Sequence, residues 1–178
     1  MSADDSSEMS HEEIRNRFRP RVTRLLLVGE SPPANGTFFY NADSRLYSQT
    51  IAAFARARLV TENPTLFLET LRDLGCFLDD LCHSPVNNLP GPERRAARNR
   101  ALPELAKRLR EIHPGVIVCV MNAIVPVVRH AVERAGMHET PFHAVPFPAQ
   151  SHEPQYVNQL AEIVSRLGFS PTVECTIS

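Results

Sequence analysis

Arg24-Leu25-Leu26-Leu27-Val28-Gly29-Glu30-Ser31-Pro32-Pro33 decides the fold class. An unbroken apolar run, closed by glycine and then a double proline, reads as a buried strand that delivers the chain into a stiff loop. In open α/β sheets ligands sit just past the carboxyl ends of such strands, and Glu30 stands at that point. Phe38, Phe39 and Tyr40 follow, then the polar string Asn41-Ala42-Asp43-Ser44-Arg45. A carboxylate, a proline-stiffened loop and a stacking aromatic suit a site for a flat ring. The loop over 29–43 is long for a compact domain, and loops of that length are usually functional.

Working outward, Gly115-Val116-Ile117-Val118-Cys119-Val120 is a second continuous, β-branched run of the parallel-sheet kind. Cys76-Phe77-Leu78 reads as another strand with Asp79-Asp80 near its exit, and Phe142 to Val145 as a fourth. Helices are predicted between them. Ser10 ahead of His11-Glu12-Glu13 starts one that runs to about Phe18, and Ser44 caps another over 45–58. Asn63-Pro64 opens a helix that ends before Gly75, and Glu93 to Ile112 is a long helix with a possible reset at Pro103. Asn122 to Gly136 and residues 154–167 complete the set, with a short strand in the tail to Ser178. Alternating strands and helices predict an α/β fold: three layers, α/β/α, around a central, mostly parallel four-stranded sheet. Residues 1–9 read as a disordered N-terminus and 10–178 as a single domain.

Composition narrows the class. The apolar fraction is 43%, the charged fraction 22% and the formal net charge −1, values of an ordinary globular domain with no global footprint for nucleic acid. Lys107 is the only lysine, so the positive charge is arginine. Cys76, Cys82, Cys119 and Cys175 form no C-x-x-C pair, and three of them lie in or beside apolar runs, which predicts free buried thiols in a reducing compartment. The acidic start is not of the signal or transit type, and no apolar run approaches membrane-spanning length. A cytoplasmic protein without a membrane partner is expected.

In a parallel sheet the strand exits share one edge. The loops Glu30-Ser31-Pro32-Pro33, Asp79-Asp80 with Asn87-Asn88, and Pro146-Phe147-Pro148-Ala149-Gln150-Ser151-His152 should therefore converge. Plainer readings stand beside this one. Asp79-Asp80 reads first as a pair of solvated loop acids, and Asn87-Asn88 as a turn. Arg94, Arg95, Arg98 and Arg100 read as a solvated face with phosphate contact the lesser alternative, and His113 as a helix-terminal cation.

These motifs, in this order, resemble the uracil-DNA glycosylase superfamily over about residues 22–167. Gly29-Glu30-Ser31-Pro32-Pro33 resembles its Gly-x-x-Pro loop. Gly36 to Tyr40 and Asp43 to Tyr47 are similar to the following segment in the mismatch-specific and hypoxanthine-type branches. Cys82-His83-Ser84-Pro85-Val86-Asn87, the arginine-rich helix and His113 to Val118 resemble the thermostable iron–sulphur branch. Phe147-Pro148-Ala149 stands where the late motif belongs.

The resemblance implies a base-excision enzyme acting on DNA that carries a damaged or deaminated base. Such an enzyme flips the nucleotide out of the stack and hydrolyses its N-glycosidic bond. By resemblance the catalytic positions are Glu30, which would orient water, and Ser31. Phe39 or Tyr40 would stack the base, and Asp80 (or Asp79) or Asn87 would read it. Pro32, Pro148, Ala149, Gln150 and His152 would shape the loops against DNA. No cofactor or metal is implied, since the clustered cysteines of the iron–sulphur branch are missing, and the protein would be a monomer. Ser31 stands where relatives keep Asp or Asn, and Phe147 where they keep histidine. An alternative is therefore a superfamily member that has lost catalysis and binds nucleic acid or a nucleobase-like ligand. A third reading, a flavodoxin-like or nucleotide-binding α/β protein, lacks any Gly-rich phosphate cradle to support it.

Overall fold

The apolar runs become four strands, β1 (Leu25–Gly29), β2 (Cys76–Asp80), β3 (Val116–Cys119) and β4 (Phe142–Ala144). The helices are α1 (His11–Arg17), α2 (Arg45–Arg56), α3 (Phe67–Asp73), α4 (Gly91–Ile112), α5 (Val125–Arg134) and α6 (Glu153–Ser165). They belong to a computed structural model that describes residues 9–60, 66–149 and 151–170. The expectations for residues before Met9, for the Asn63-Pro64 helix start, for Gln150, for Cys175 and for a strand in the tail lie outside those residues.

Local chemistry explains most boundaries. Ser10 and Glu13 form a reciprocal capping box at the start of α1, and the Ser44 hydroxyl accepts the Tyr47 N–H at 3.2 Å to start α2. Proline occupies the first turn of α4, α5 and α6, where its missing N–H would be unpaired in any case. The helix expected from Asn122 begins instead as a 3-10 turn over Asn122–Ile124, because Pro126 has no N–H to return to Asn122. Pro103 does not reset α4. It lies on the exposed side of one continuous helix, where the carbonyl it leaves unpaired can take water.

The sheet is parallel throughout, in the order β2-β1-β3-β4. The connections β1 to β2 and β2 to β3 run in opposite directions across the sheet. Right-handed crossovers then put α2 and α3 on one face and α4 and α5 on the other. The observed packing follows that division, α2 against α6 and α4 against α5. A buried hydrogen bond of 2.9 Å between the Thr50 and Tyr156 hydroxyls ties α2 to α6. β1 is central and buried at every residue, as its unalternated sequence requires. The switch in connection direction falls between β1 and β3, which opens a crevice past their carboxyl ends. Among the described residues no helix is long and apolar enough to cross a membrane.

Asp79 and Asp80 are not loop acids. They are the last two residues of β2, 1% and 5% exposed, because β1 runs on through Gly29 and its ladder continues to the Gly29–Asp80 pair. β2 is also an edge strand, and side chains close the outer hydrogen-bonding groups of Leu78 and Asp80. The Tyr40 hydroxyl donates to the Leu78 carbonyl and accepts the Leu78 N–H, both at 2.8 Å. The Asp79 carboxylate accepts the Asp80 N–H at 2.9 Å, and Arg108 donates to the Asp80 carbonyl at 2.6 Å. An edge sealed in this way offers no template to another strand.

Replacing Tyr40 with phenylalanine keeps the ring and strands both Leu78 groups. Stability should fall by about 1–3 kcal/mol, read as a lower urea midpoint with an unchanged slope. An unaltered midpoint would show that the hydroxyl is dispensable to the edge.

Candidate functional site

A cavity of about 390 Å³ opens past the carboxyl ends of β1 and β3. The β1 exit supplies Gly29, Glu30, Ser31 and Pro32, and its long loop adds Phe38 and Phe39. β2 supplies Leu78 and Asp80, the loop after it Asn87, and α4 supplies Arg94. Met121 and Phe147 come from the exits of β3 and β4. The convergence expected from a parallel sheet is therefore present.

The individual positions divide. Glu30, Ser31, Pro32, Phe39, Asp80 and Asn87 line the cavity. Tyr40 does not, because its ring is buried and its hydroxyl closes the β2 edge. Pro148, Ala149 and His152 do not line it either. Pro148 is turned inward, Ala149 is exposed, and His152 is an exposed residue ahead of α6 whose carbonyl accepts the Tyr156 N–H at 2.9 Å. Among the described residues of that loop, Phe147 alone reaches the cavity, 42% exposed.

Ser31 and Asn87 also stitch the loops together. Ser31 Oγ accepts the Val86 N–H at 3.2 Å, and Asn87 Oδ1 accepts the Ala34 N–H at 2.9 Å. That contact fixes which end of the Asn87 amide is the carbonyl and leaves its N–H donors available to a ligand. Phe39 is wedged edge-on between Tyr40 and Tyr47, with centroid separations of 5.2 and 5.7 Å, so its ring plane is set before any ligand arrives.

Glu30 is not a free carboxylate. Arg94 grips it with both ends of its fork, Nε to Oε1 at 2.7 Å and Nη2 to Oε2, and Arg98 Nε reaches Oε1 at 2.6 Å. Burial pushes the Glu30 pKa up, but the hydrogen bonds and charges of the two arginines outweigh it and hold the carboxyl below its ordinary value. Two of the four arginines read as a solvated stripe thus point inward, while Arg95 and Arg100 stay exposed. The signal was in the spacing. Intervals of four residues (94 to 98) and fourteen (94 to 108) both fall near whole turns of a helix of about 3.6 residues per turn, so Arg94, Arg98 and Arg108 share one face of α4.

Asp79 and Asp80 form the second electrostatic centre. Successive strand residues face opposite sides, so Asp80 reaches the cavity beside Leu78 while Asp79 faces a separate groove with Phe77. Arg15 on α1 serves both, with Nη2 at 2.9 Å from Asp80 Oδ2 and Nε at 3.7 Å from Asp79 Oδ1. Asp79 also receives Arg108 Nε at 2.7 Å and His83 Nε2 at 2.9 Å. Against burial, the His83 bond and the Arg108 and Arg15 charges bring Asp79 down to about 2. Burial wins at Asp80, with the Asp79 charge adding to it, and lifts it to about 6 despite Arg15. Nothing in the sequence singles out Arg15, since it and Arg17 are two ordinary arginines between Ile14 and Phe18 with no pattern that tells the buried one from the exposed one. Gly29 makes room for Asp80: a Cβ there would lie 2.5 Å from Asp80 Oδ1.

The remaining reactive groups are quiet. Cys76, Cys82 and Cys119 are free and buried, and burial pushes the thiols of Cys82 and Cys119 up to about 11. Among the described residues no three His, Cys, Asp or Glu side chains are grouped to hold a metal ion. No family model and no curated protein matches the chain.

The Asp pair sets a pH signature. Asp80 titrates higher folded (about 6) than unfolded, near 3.8, so the folded protein holds the extra proton between those values. Stability therefore declines as pH rises through that window. Asp79 titrates lower folded, at about 2, so its contribution is complete above about pH 4 and is lost as pH falls toward 2. In Asp80→Asn the decline between about pH 4 and 6 should vanish and the acid loss remain. Superimposable profiles for the two proteins would refute this assignment. Arg15→Met, which leaves two buried carboxylates short of a cation, should cost about 3–5 kcal/mol by urea unfolding, and Asp80→Asn in that background should recover part of it.

Proposed function

We propose that this chain is a base-excision glycosylase of the uracil-DNA glycosylase kind, with that superfamily's three-layer α/β/α arrangement. In this reading it takes a deaminated base flipped out of DNA and hydrolyses its N-glycosidic bond. The observation that carries the reading is the cavity at the β1/β3 switch, where Glu30, Phe39, Asp80 and Asn87 meet. At about 390 Å³ it lies at the small end of the usual range of about 300–1,000 Å³, a size suited to one base and its sugar.

The chemistry of the lining supports a deaminated base. Deamination replaces an exocyclic amine with a carbonyl beside a ring N–H. Asn87 offers the donor for that carbonyl, and an ionised Asp80 the acceptor for that N–H. Phe39 supplies the stacking face, a contact of about 1–3 kcal/mol that tolerates different bases. Glu30 stays ionised between its arginines. In this role it is a fixed anion that orients water toward the anomeric carbon and stabilises the oxocarbenium-like charge, as carboxylates do in glycoside hydrolysis.

The binding-only reading has two observations in its favour: both oxygens of Glu30 are occupied by Arg94 and Arg98, and Ser31 Oγ is engaged by Val86. The two readings separate in one assay. Duplexes and single strands carrying uracil, hypoxanthine or xanthine are incubated with excess protein, and abasic sites are cleaved with alkali. A glycosylase gives scission on at least one of them, and Glu30→Gln lowers its rate by about 10²- to 10⁴-fold. No scission on any substrate removes the enzymatic reading, and anisotropy on the same oligonucleotides then decides whether binding remains.

A further inference from the structure

The clamp on Glu30 is asymmetric. Arg98 places both Nε, at 2.6 Å, and Nη2, at 2.5 Å, on Oε1 alone. Among the described residues Oε2 is held by Arg94 only. The Arg98 side chain is 14% exposed and does not line the cavity, whereas Arg94 is 27% exposed and does. The inner arginine thus keeps the carboxylate charged and in place, while the outer one can be reached by a ligand. Two guanidinium groups on one carboxylate leave that cluster with one positive charge in excess, and of the two Arg94 faces the cavity.

We propose that Arg94 is a phosphate-binding residue of this site. The phosphate joined to the sugar of the bound base takes over the Arg94 fork from Glu30. This rests on the base-binding reading above and narrows the ligand from a free base or nucleoside to one that carries a sugar phosphate. A guanidinium fork matches phosphate oxygens as well as it matches a carboxylate, so the exchange replaces one bidentate pair by another. Arg98 remains on Oε1 throughout. Oε2 is released, and a released carboxylate oxygen is the group that can accept a hydrogen bond from water. Ligand phosphate and a water-ready Glu30 then arrive together, and in the empty site the carboxylate is kept closed.

The test compares deoxyuridine and deoxyinosine with their 3′- and 5′-monophosphates, and with a trinucleotide carrying the same base in the middle, by calorimetric titration. The wild type should bind a phosphorylated probe about tenfold or more tighter than the matching nucleoside, the scale of one charge-assisted contact. Arg94→Gln should erase that preference, so that the phosphorylated probe and its nucleoside bind alike. Arg94→Lys, which keeps the charge without the fork, should retain only part of it. Glu30→Gln removes the competitor for Arg94 and should bind the phosphorylated probe more tightly than the wild type. A trinucleotide that outbinds both monophosphates identifies the phosphate as one of a strand, and the reverse order identifies a free nucleotide. Nucleosides that bind as well as their phosphates, or a preference that survives in Arg94→Gln, would overturn the proposal and leave the base pocket standing. Binding of none of the probes would overturn the base pocket as well.

Discussion

Two adjacent carboxylates buried at the end of an edge strand are the constraint on which the rest depends. A buried charge costs several kcal/mol unless it is paired and hydrogen-bonded, and Asp79 and Asp80 sit 1% and 5% exposed on β2. Their partners come from three directions: Arg15 from α1, Arg108 from α4 and His83 from the loop between. The placement of α1 follows from this requirement as much as from packing. Once docked, α1 stacks His11 on Phe38 at 4.3 Å and Phe18 on Tyr40 at 5.6 Å, which fixes the aromatic segment that walls the cavity. Strand edge, first helix and cavity wall are thus consequences of one neutralisation.

The three acids of this region occupy three electrostatic states set by their partners rather than by their type. Glu30, with two arginines to itself, is held ionised. Asp79 shares two arginines and a histidine and is held ionised more firmly still. Asp80 has one arginine, which it shares, and a charged neighbour in sequence, so it takes a proton more readily. Environments that push carboxylates apart in this way are typical of functional sites. Here the division runs along the cavity: the group nearest the β1 exit is the fixed anion, and the group at the floor can change between hydrogen-bond acceptor and donor.

Backbone-level features were legible in the sequence and partner-level features were not. Leu25 to Val28 and Val116 to Cys119 are apolar on both faces, and only a strand covered on both faces tolerates that pattern. From them follow the parallel sheet, the shared edge of the loops and the convergence of Glu30, Asn87 and Phe147. Ser10 and Ser44 announced their helices because capping is a local reaction of a side chain with the next turn. The sequence makes Asp79 and Asp80 look solvated because burial of an acid depends on cations far away in sequence, and Arg15 is a single residue without periodicity. In the sequence Tyr40 stands beside Phe39 as a second ring. Its deciding atom is the hydroxyl, whose partner on Leu78 no local pattern reveals.

Helix α4 has an implication for how this chain can change in length. Its 22 residues run uninterrupted from Gly91 to Ile112, with Arg94 and Arg98 engaged at Glu30 and Arg108 at Asp79. One residue inserted or deleted between Arg98 and Arg108 would turn one set relative to the other by about 100° and shift it by about 1.5 Å along the axis. Either Glu30 would then lose its clamp or Asp79 its Arg108 partner, and a buried carboxylate would be short of a cation. The helix is therefore a ruler of fixed length between two charged centres. Insertions and deletions can accumulate in the loop before Gly91 or beyond His113, but this interior can drift only by substitution.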